Sequence, residues 1–422
     1  MLNHFPTPYP EEWWWSVLCR YHVRSGHSHH QTTIRELFGN RPTAAIGSIF
    51  PNNTIPQVTS QLPPGLLDTA QLITGHTLFL YYTRCYSLAQ KKKLLSQLRL
   101  GTSVVITSIR RFGQLPAPRY CPRCAEQDRE AHGEAYWHIE HQIPAVEVCP
   151  QHGCRLHSIE GLDAAKTRYS FAPLDAALPE FVDAEMQDIP SWHIQFSKIL
   201  YSYATLPLSC AATSTHSNLA IALGNMGYEV IQVHSPHTIL DAKRLYHDLT
   251  EQYGQEIVKR VFGDEKAICL LNRVCKWECL TPERYALLQC FAGIDSATVF
   301  SSKRLPSSLE NKLRTMSKTG IRYGKKQLCE HLGITAAQLN ILARKYNLSP
   351  FWTQNDTLNS SSHKISVVFS DTEHERFKQA LAQSGFRYPR HFAHHCILEY
   401  LNTHSFLRGG LILWEPLSTP TA

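Results

Sequence analysis

Charge is in short supply along this chain. Only 18% of its 422 residues are Asp, Glu, Lys or Arg, against about 25% in typical soluble domains. With 43% apolar residues, the chain can bury real cores and is not disordered overall. No run of 18 apolar residues occurs, so no transmembrane span is expected. The opening "MLNHFPTPYPEEWWWSVLC" lacks a basic n-region and carries Pro and Glu where an apolar h-region would sit, so no signal peptide is expected. The 13 cysteines are odd in number and mostly scattered. They read as reduced thiols of a cytoplasmic protein, not as a disulfide framework. Acid is missing from one place in particular. Residues 303–346 hold ten bases and two acids, a local charge of +8, while the whole chain carries +7 and the rest therefore −1. The protein is not generally basic; it has one basic segment, where a nucleic-acid partner is to be sought.

What is present begins with Pro and aromatics. Pro10 stands near the first turn of an expected helix, with Glu11 and Glu12 favouring its positive end. Trp14, Leu18 and Tyr21 would share one face, and the helix would stop near Gly26. Three adjacent tryptophans cannot share a face, so at least one packs elsewhere. A second helix, "QTTIRELFG", ends at Gly39, and residues 41–65 read as a loop. Two or three helices follow in 65–101, where Lys91–Lys93 reads as a solvated face. "TSVVITSIRRFG" (102–113) reads as a strand. Helices are expected around Trp192–Leu200, before Gly227, from about Thr238, and onward through Cys290.

The strongest chemical signal is Cys121-x2-Cys124, then 24 residues, then Cys149-x2-His152. A two-residue gap lets one tight turn supply two ligands, and Zn²⁺ favours four in a tetrahedron. Pro122 and Pro150 sit alike in the two halves, so both look like one knuckle used twice. A hydrolytic zinc keeps an open position, whereas four good ligands here can close the shell. The deaminase pattern H-x-E followed by P-C-x-x-C is imitated only in its first half, by His132-Gly-Glu134. The downstream pair is Cys149-x-x-His152, and Val148 precedes it. A structural zinc is therefore the reading, and a zinc hydrolase or deaminase is disfavoured. His138 and His141 read as a brace between the halves that hydrogen-bonds a ligand, with direct ligation as the alternative. Cys154 and His157 are weaker candidates.

In the basic segment, "YGKKQLCEHLGITAAQLNILARKYNL" (323–348) reads as helix-turn-helix. Lys325–Leu332 stops at Gly333, and Thr335 caps a second helix whose Leu339, Leu342 and Ala343 face inward. Lys325, Lys326, Gln338, Asn340, Arg344 and Lys345 are the candidate nucleic-acid contacts, since Gln and Asn can read adenine and Arg and Lys bind guanine or phosphate. The alternative is an ordinary helical hairpin. Gly320-x3-Gly324-Lys325-Lys326 lacks the spacing and the Ser/Thr of a phosphate loop, so no ATPase activity is expected. After a linker (353–363), Ile365, Val367 and Phe369 alternate as a short strand. Ser370 and Glu373 form a capping box, Gly385 ends that helix, and another starts near Pro389. A small cap on the body is the favoured reading of this piece. A ribbon-helix-helix is the alternative; it would put Lys364, Ser366 and Val368 on DNA and make a homodimer.

Taken together, "FPTPYPEEWWWSVLCRYHVRSG", "LFG" at 37–39, "GHTLFLYY" at 75–82 and "YCPRCAEQ…YWHIEHQIPAVEVCPQHGCRL" resemble the TniQ/TnsD family over residues 5–157, with a fainter echo at 226–254. The resemblance implies a bacterial, DNA-associated target selector for transposition. Such a protein binds a chosen double-stranded DNA site or an RNA-guided CRISPR effector complex and recruits a TnsC-like AAA+ ATPase. It also implies that Cys121, Cys124, Cys149 and His152 hold one structural Zn²⁺. Some relatives carry a second zinc knuckle, and no later Cys/His quartet fits one here. The expected fold is mainly α and multi-domain. Residues 1–113 form an N-terminal helical domain, 114–160 an inserted zinc-knuckle or ribbon domain and 161–300 a helical middle. Residues 303–352 form a helix-turn-helix domain, and 363–422 a strand–helix–helix piece. The expected function is a non-enzymatic adaptor; the rival is a zinc-containing transcriptional regulator. No membrane partner is expected.

Overall fold

A computed structural model describes residues 2, 4–40, 44–102, 104, 117–178, 189–212, 216–230, 239–263, 281–319, 323–353, 369–386 and 388–403. The expected strands at 102–113 and 364–369 and the linker at 353–363 lie almost wholly outside those residues, as do 264–280. The described residues are mainly helical with three two-residue strand pairs. They fall into two units, 1–354 and 355–422.

The first unit opens with α1 (Trp14–Ser25), closed by Gly26 in the left-handed conformation at φ 69°. Every residue from Trp14 to Tyr21 is buried, so this helix lies inside the core and not upon it. That resolves the three tryptophans. All are buried, and each indole N–H finds its own oxygen: Trp13 donates to Ser48 O, Trp14 to Thr54 Oγ1 and Trp15 to Ser170 O. Buried indoles need such partners, and three directions around a helix supply them. Glu11 and Glu12 precede the helix instead of occupying its first turn. The helix entry is pinned by the Trp13 N–H on Trp137 O and the Trp14 N–H on His76 O, both 2.8 Å.

Then follow α2 (His30–Phe38), α3 (Thr54–Thr59), α4 (Thr69–Gly75), α5 (Phe79–Tyr82) and α6 (Leu88–Arg99). The expected loop at 41–65 thus contains a helix. It is anchored by Thr54, whose N–H donates to Asn52 Oδ1. Lys91 on α6 corrects another expectation. It is fully buried, and its Nζ donates to Cys210 O at 2.8 Å; Lys92 and Lys93 are exposed. Arg84 beside it is also fully buried and donates to the carbonyls of Tyr203, Leu206, Pro207 and Cys210. Tyr203 lies in the last turn of the helix Ser191–Thr205 and Leu206 caps it, where a helix leaves acceptors unsatisfied and its dipole is negative; Pro207 and Cys210 follow in the chain.

Strands β1 (Arg119–Tyr120) and β2 (His157–Ser158) pair antiparallel, Tyr120 opposite His157, and frame the cysteine segment containing α7 (Pro122–His132). The chain continues through α8 (Ala164–Thr167), α9 (Leu174–Ala177), α10 (Ser191–Thr205) and α11 (Asn218–Leu223). Strands β3 (Glu229–Val230) and β4 (Ile239–Leu240) precede α12 (Ala242–Tyr253), α13 (Gln255–Phe262), α14 (Pro282–Ala292) and α15 (Ser296–Val299). One hydrophobic core, from Leu2 to Phe300, joins most of these elements. A second, smaller core joins α16 (Ser308–Lys318), α17 (Lys325–Leu332) and α18 (Ala336–Lys345) through Leu313, Leu328, Leu339, Leu342, Tyr346 and Trp352. Strands β5 (Tyr323–Gly324) and β6 (Trp352–Thr353), paired parallel, close it.

In the second unit the described residues form α19 (Asp371–Ser384) and α20 (Pro389–Thr403). Ser370 and Glu373 make the expected capping box, and Gly385 turns at φ 72°. Phe377 meets Phe369 at 5.2 Å and Phe392 at 5.3 Å between ring centroids, yet no residue of α19 is buried. Among the described residues no helix is long and apolar enough to cross a membrane.

Candidate metal centre

Cys121 caps the N-terminus of α7 and Cys124 lies in its first turn, so one turn of helix presents two thiols. The other two groups come from a tight turn. Cys149 N donates to Cys154 O at 2.8 Å, Gly153 N to Cys149 O at 2.9 Å, and His152 N to Cys149 Sγ at 3.4 Å. Gly153 sits at φ 67°, which favours glycine, and a Cβ there would press the Ile194 side chain at 3.3 Å.

The ligand atoms of Cys121, Cys124, Cys149 and His152 all lie within 4.8 Å of one another. His152 Nδ1 stands 3.5 Å from Cys121 Sγ, 3.3 Å from Cys124 Sγ and 3.6 Å from Cys149 Sγ; Cys124 and Cys149 sulfurs are 3.7 Å apart. A tetrahedron with Zn–S bonds of about 2.3 Å and a Zn–N bond of about 2.0–2.1 Å has S···S edges of about 3.8 Å and S···N edges of about 3.6 Å. The donor set therefore has the size and chemistry of a closed shell that could hold one metal ion. Among the crowded thiols, hydrogen bonds from Cys121 and Cys124 hold Cys149 far below its usual range, while Cys121 and Cys124 are themselves pushed up.

The rival ligands stand at the edge. Cys154 Sγ lies 3.3 Å from Cys121 Sγ, and His141 Nε2 lies 3.7 Å from Cys124 Sγ, but neither belongs to the mutually close set of four. His138 has both ring nitrogens engaged, Nε2 at 2.8 Å from Asp128 Oδ2 and Nδ1 at 3.1 Å from Glu140 Oε1. Burial would lower this imidazole, but the Glu140 charge and the two carboxylate hydrogen bonds push it up to about 10. His157 lies in β2 with its ring against Tyr120.

The knuckle is welded to α1 rather than appended to it. Glu12 bridges to His138 in a short antiparallel pairing, and Ile139 N donates to Glu11 O at 2.9 Å. Arg20, buried, contacts Glu12 Oε2 and Glu134 Oε1 at 2.8 Å each and lies 3.6 Å above the Tyr9 ring. Burial pushes the Glu12 carboxyl up to about 7 even against Arg20. Glu12 stands in the quoted N-terminal stretch and Glu134 in His132-Gly-Glu134, but no local pattern in the sequence joins either to Arg20. The local hint for Arg20 is a charge inside an aromatic-rich helix.

In the basic segment, α17 and α18 occupy the expected spans. Gly333 makes the turn at φ 65°, Thr335 caps Gln338 N, and Leu339, Leu342 and Ala343 are buried. Lys326, Asn340 and Arg344 are exposed and Lys325 half-buried. Two of the six candidates are engaged within the chain. Gln338 Oε1 accepts the Thr335 N–H at 2.8 Å, and Lys345 Nζ lies 3.6 Å from Glu229 Oε1. Glu310 holds Arg304 at 2.6 Å and Arg314 at 2.9 Å, which removes two more bases from the free face.

Comparison with known proteins adds a constraint of a different kind. Residues 4–156, the span from the N-terminal segment through the ligand quartet, match the family described as TniQ. The chain is also 28% identical over 279 residues to the "Transposon Tn7 transposition protein TnsD" of Escherichia coli, covering 63% of this chain and 50% of that protein. The chain thus spans about half the length of that relative.

Proposed function

We propose that the chain, which carries a TniQ region over residues 4–156 and is similar to TnsD, is a member of the TniQ/TnsD family that selects target sites for DNA transposition. In this role it is a non-enzymatic adaptor. It binds double-stranded target DNA, or an RNA-guided CRISPR effector complex, and recruits a TnsC-like AAA+ ATPase. A cytoplasmic, DNA-associated location goes with that role. The observation that carries the reading is the coincidence of the family region with the ligand quartet and with the core around α1. One compact unit contains all three.

The metal in this proposal is Zn²⁺, held by Cys121, Cys124, Cys149 and His152. Four protein ligands leave no open position for water or substrate, so its work is to fix the shape of the family region. The proposed DNA face is the exposed side of α17 and α18. Lys325, Lys326 and Arg344 would meet phosphates or guanine and Asn340 an adenine edge, while Gln338 and Lys345 would first have to leave their internal partners.

The test is capture of the purified AAA+ transposition ATPase by the full chain, with and without target DNA. Saturable capture is expected. Binding to DNA with no capture of the ATPase, and none of a CRISPR effector complex, would sink the adaptor reading. It would leave the transcriptional regulator, which the basic α17–α18 pair alone would also serve.

A further inference from the structure

Beside the thiolate shell lies a second group of ligand atoms that the shell does not use. Glu11, His138 and Glu140 each bring one such atom within 4.8 Å of the others. His138 and Glu140 are buried and Glu11 is half-buried. Glu140 is 1% exposed and its Oε2 has no hydrogen-bond partner; the adjoining His141, also 1% exposed, has none at Nδ1. A carboxylate oxygen left bare in a dry interior is costly. The protein atoms around Glu140 therefore leave one interaction unaccounted for.

The surroundings suit a cation. A histidine that binds metal through one nitrogen usually hands its other N–H to a carboxylate, which fixes the tautomer and the ring. Asp128 already stands 2.8 Å from His138 Nε2, which leaves Nδ1 facing Glu140 at 3.1 Å. The Tyr201 hydroxyl donates to Glu11 Oε1 and orients that carboxylate in turn. Burial, and then the Glu140 charge, push the Glu11 carboxyl up against the opposing pull of His138 and His141. Two carboxylates and an imidazole are donors for a borderline or hard divalent ion, not for the soft-ligand chemistry of the thiols.

The geometry points to a second cation site, in which Glu11, Glu140 and His138 Nδ1 hold a divalent ion of the zinc or manganese kind. The ion takes the place of the proton between His138 and Glu140 and meets the bare carboxylate oxygen. It staples the N-terminal segment to the knuckle at the point where Glu12 and His138 already pair. This inference stands apart from the target-selector proposal, since it concerns only what holds two segments together.

The experiment is a metal count on the full-length protein, equilibrated with Zn²⁺ as the sole metal, desalted and measured by plasma mass spectrometry. Wild type is expected to carry one more zinc per chain than Glu140→Gln and one more than Glu11→Gln. In parallel, the Co²⁺-loaded variants are expected to keep the sulfur-to-cobalt absorption of the thiolate shell at wild-type strength. Should Glu140→Gln fail to fold, Glu11→Gln, changed at a half-buried position, decides alone. Equal zinc content in wild type and Glu11→Gln overturns the site. A loss of zinc accompanied by loss of the thiolate absorption also overturns it, because the lost ion then belonged to the cysteine shell. ATPase capture is a separate readout, so failure here leaves the functional proposal standing, and the reverse holds too.

Discussion

Replacing Arg20 by Met keeps much of the side-chain volume and removes the charge that α1 offers to the family region. Arg20 is the ion-pair partner of the fully buried Glu12, which keeps the Tyr9 N–H at 2.9 Å and the Ser16 hydroxyl after the change. Glu134 fares better, for it keeps Tyr9 Oη at 3.0 Å and Arg24 at 3.3 Å. Stripping one partner from a buried pair costs about 3–5 kcal/mol because the other charge is left in low dielectric. The loss should depend on pH. Burial already raises Glu12 to about 7 in the folded chain, above its ordinary 4.5. The folded state therefore holds that proton more tightly, and this stabilisation is present below 4.5 and lost as pH rises through 7. It is worth on the order of 3 kcal/mol across that window. Without Arg20 the carboxyl rises further. Arg20→Met should then be destabilised by about 3–5 kcal/mol at pH 8 and by much less at pH 5, where Glu12 is protonated. Urea unfolding of wild type and variant at both pH values measures it. A deficit under about 1 kcal/mol at pH 8, or one equal at the two pH values, would refute the reasoning.

Arg84→Met should be worse than a usual core substitution, by about 3 kcal/mol or more, because it strands the Tyr203 and Leu206 carbonyls at the end of α10, while Cys210 O keeps Lys91 and Pro207 O keeps the Cys210 N–H; chemical denaturation checks it. Lys91→Met should be neutral or stabilising at pH 7–8, since Cys210 O keeps Arg84. Burial, then Arg84 beside it, lowers the amine to about 7. The unfolded chain thus binds more protons between about 7 and 10.5, wild-type stability rises with pH through that window, and the variant should lose the slope. On the proposed DNA face, Lys326→Glu with Arg344→Glu should weaken binding to all sequences and flatten the salt dependence by about two counterions; an unchanged slope moves the interface elsewhere.

The parts legible in the sequence are those whose causes are local. The ligand quartet is set by two short turns, and helices α17 and α18 are punctuated by Gly333 and the Thr335–Gln338 box. Those features survive translation into coordinates almost unchanged. The parts that were not legible depend on partners far along the chain. Lys91 looked like a solvated base until Cys210 O came to it, and Arg84 gains its meaning only at the end of a helix more than a hundred residues later. The three tryptophans are an intermediate case. Adjacency predicted that they diverge, but not that Ser48, Thr54 and Ser170 would each be waiting. His138 was legible as a brace, while its clamp between Asp128 and Glu140 was not, because Asp128 is reached only through the turn of α7.

A metal that serves shape and not chemistry is the central claim. Cobalt substituted into the cysteine shell tests this directly, by adding azide or cyanide to the folded protein and following the sulfur-to-cobalt absorption. A shell closed by Cys121, Cys124, Cys149 and His152 predicts a spectrum that the anion leaves unchanged, and a chain that unfolds when a chelator removes the ion. An anion that shifts the spectrum while the protein stays folded would reveal an open coordination position and contradict that claim.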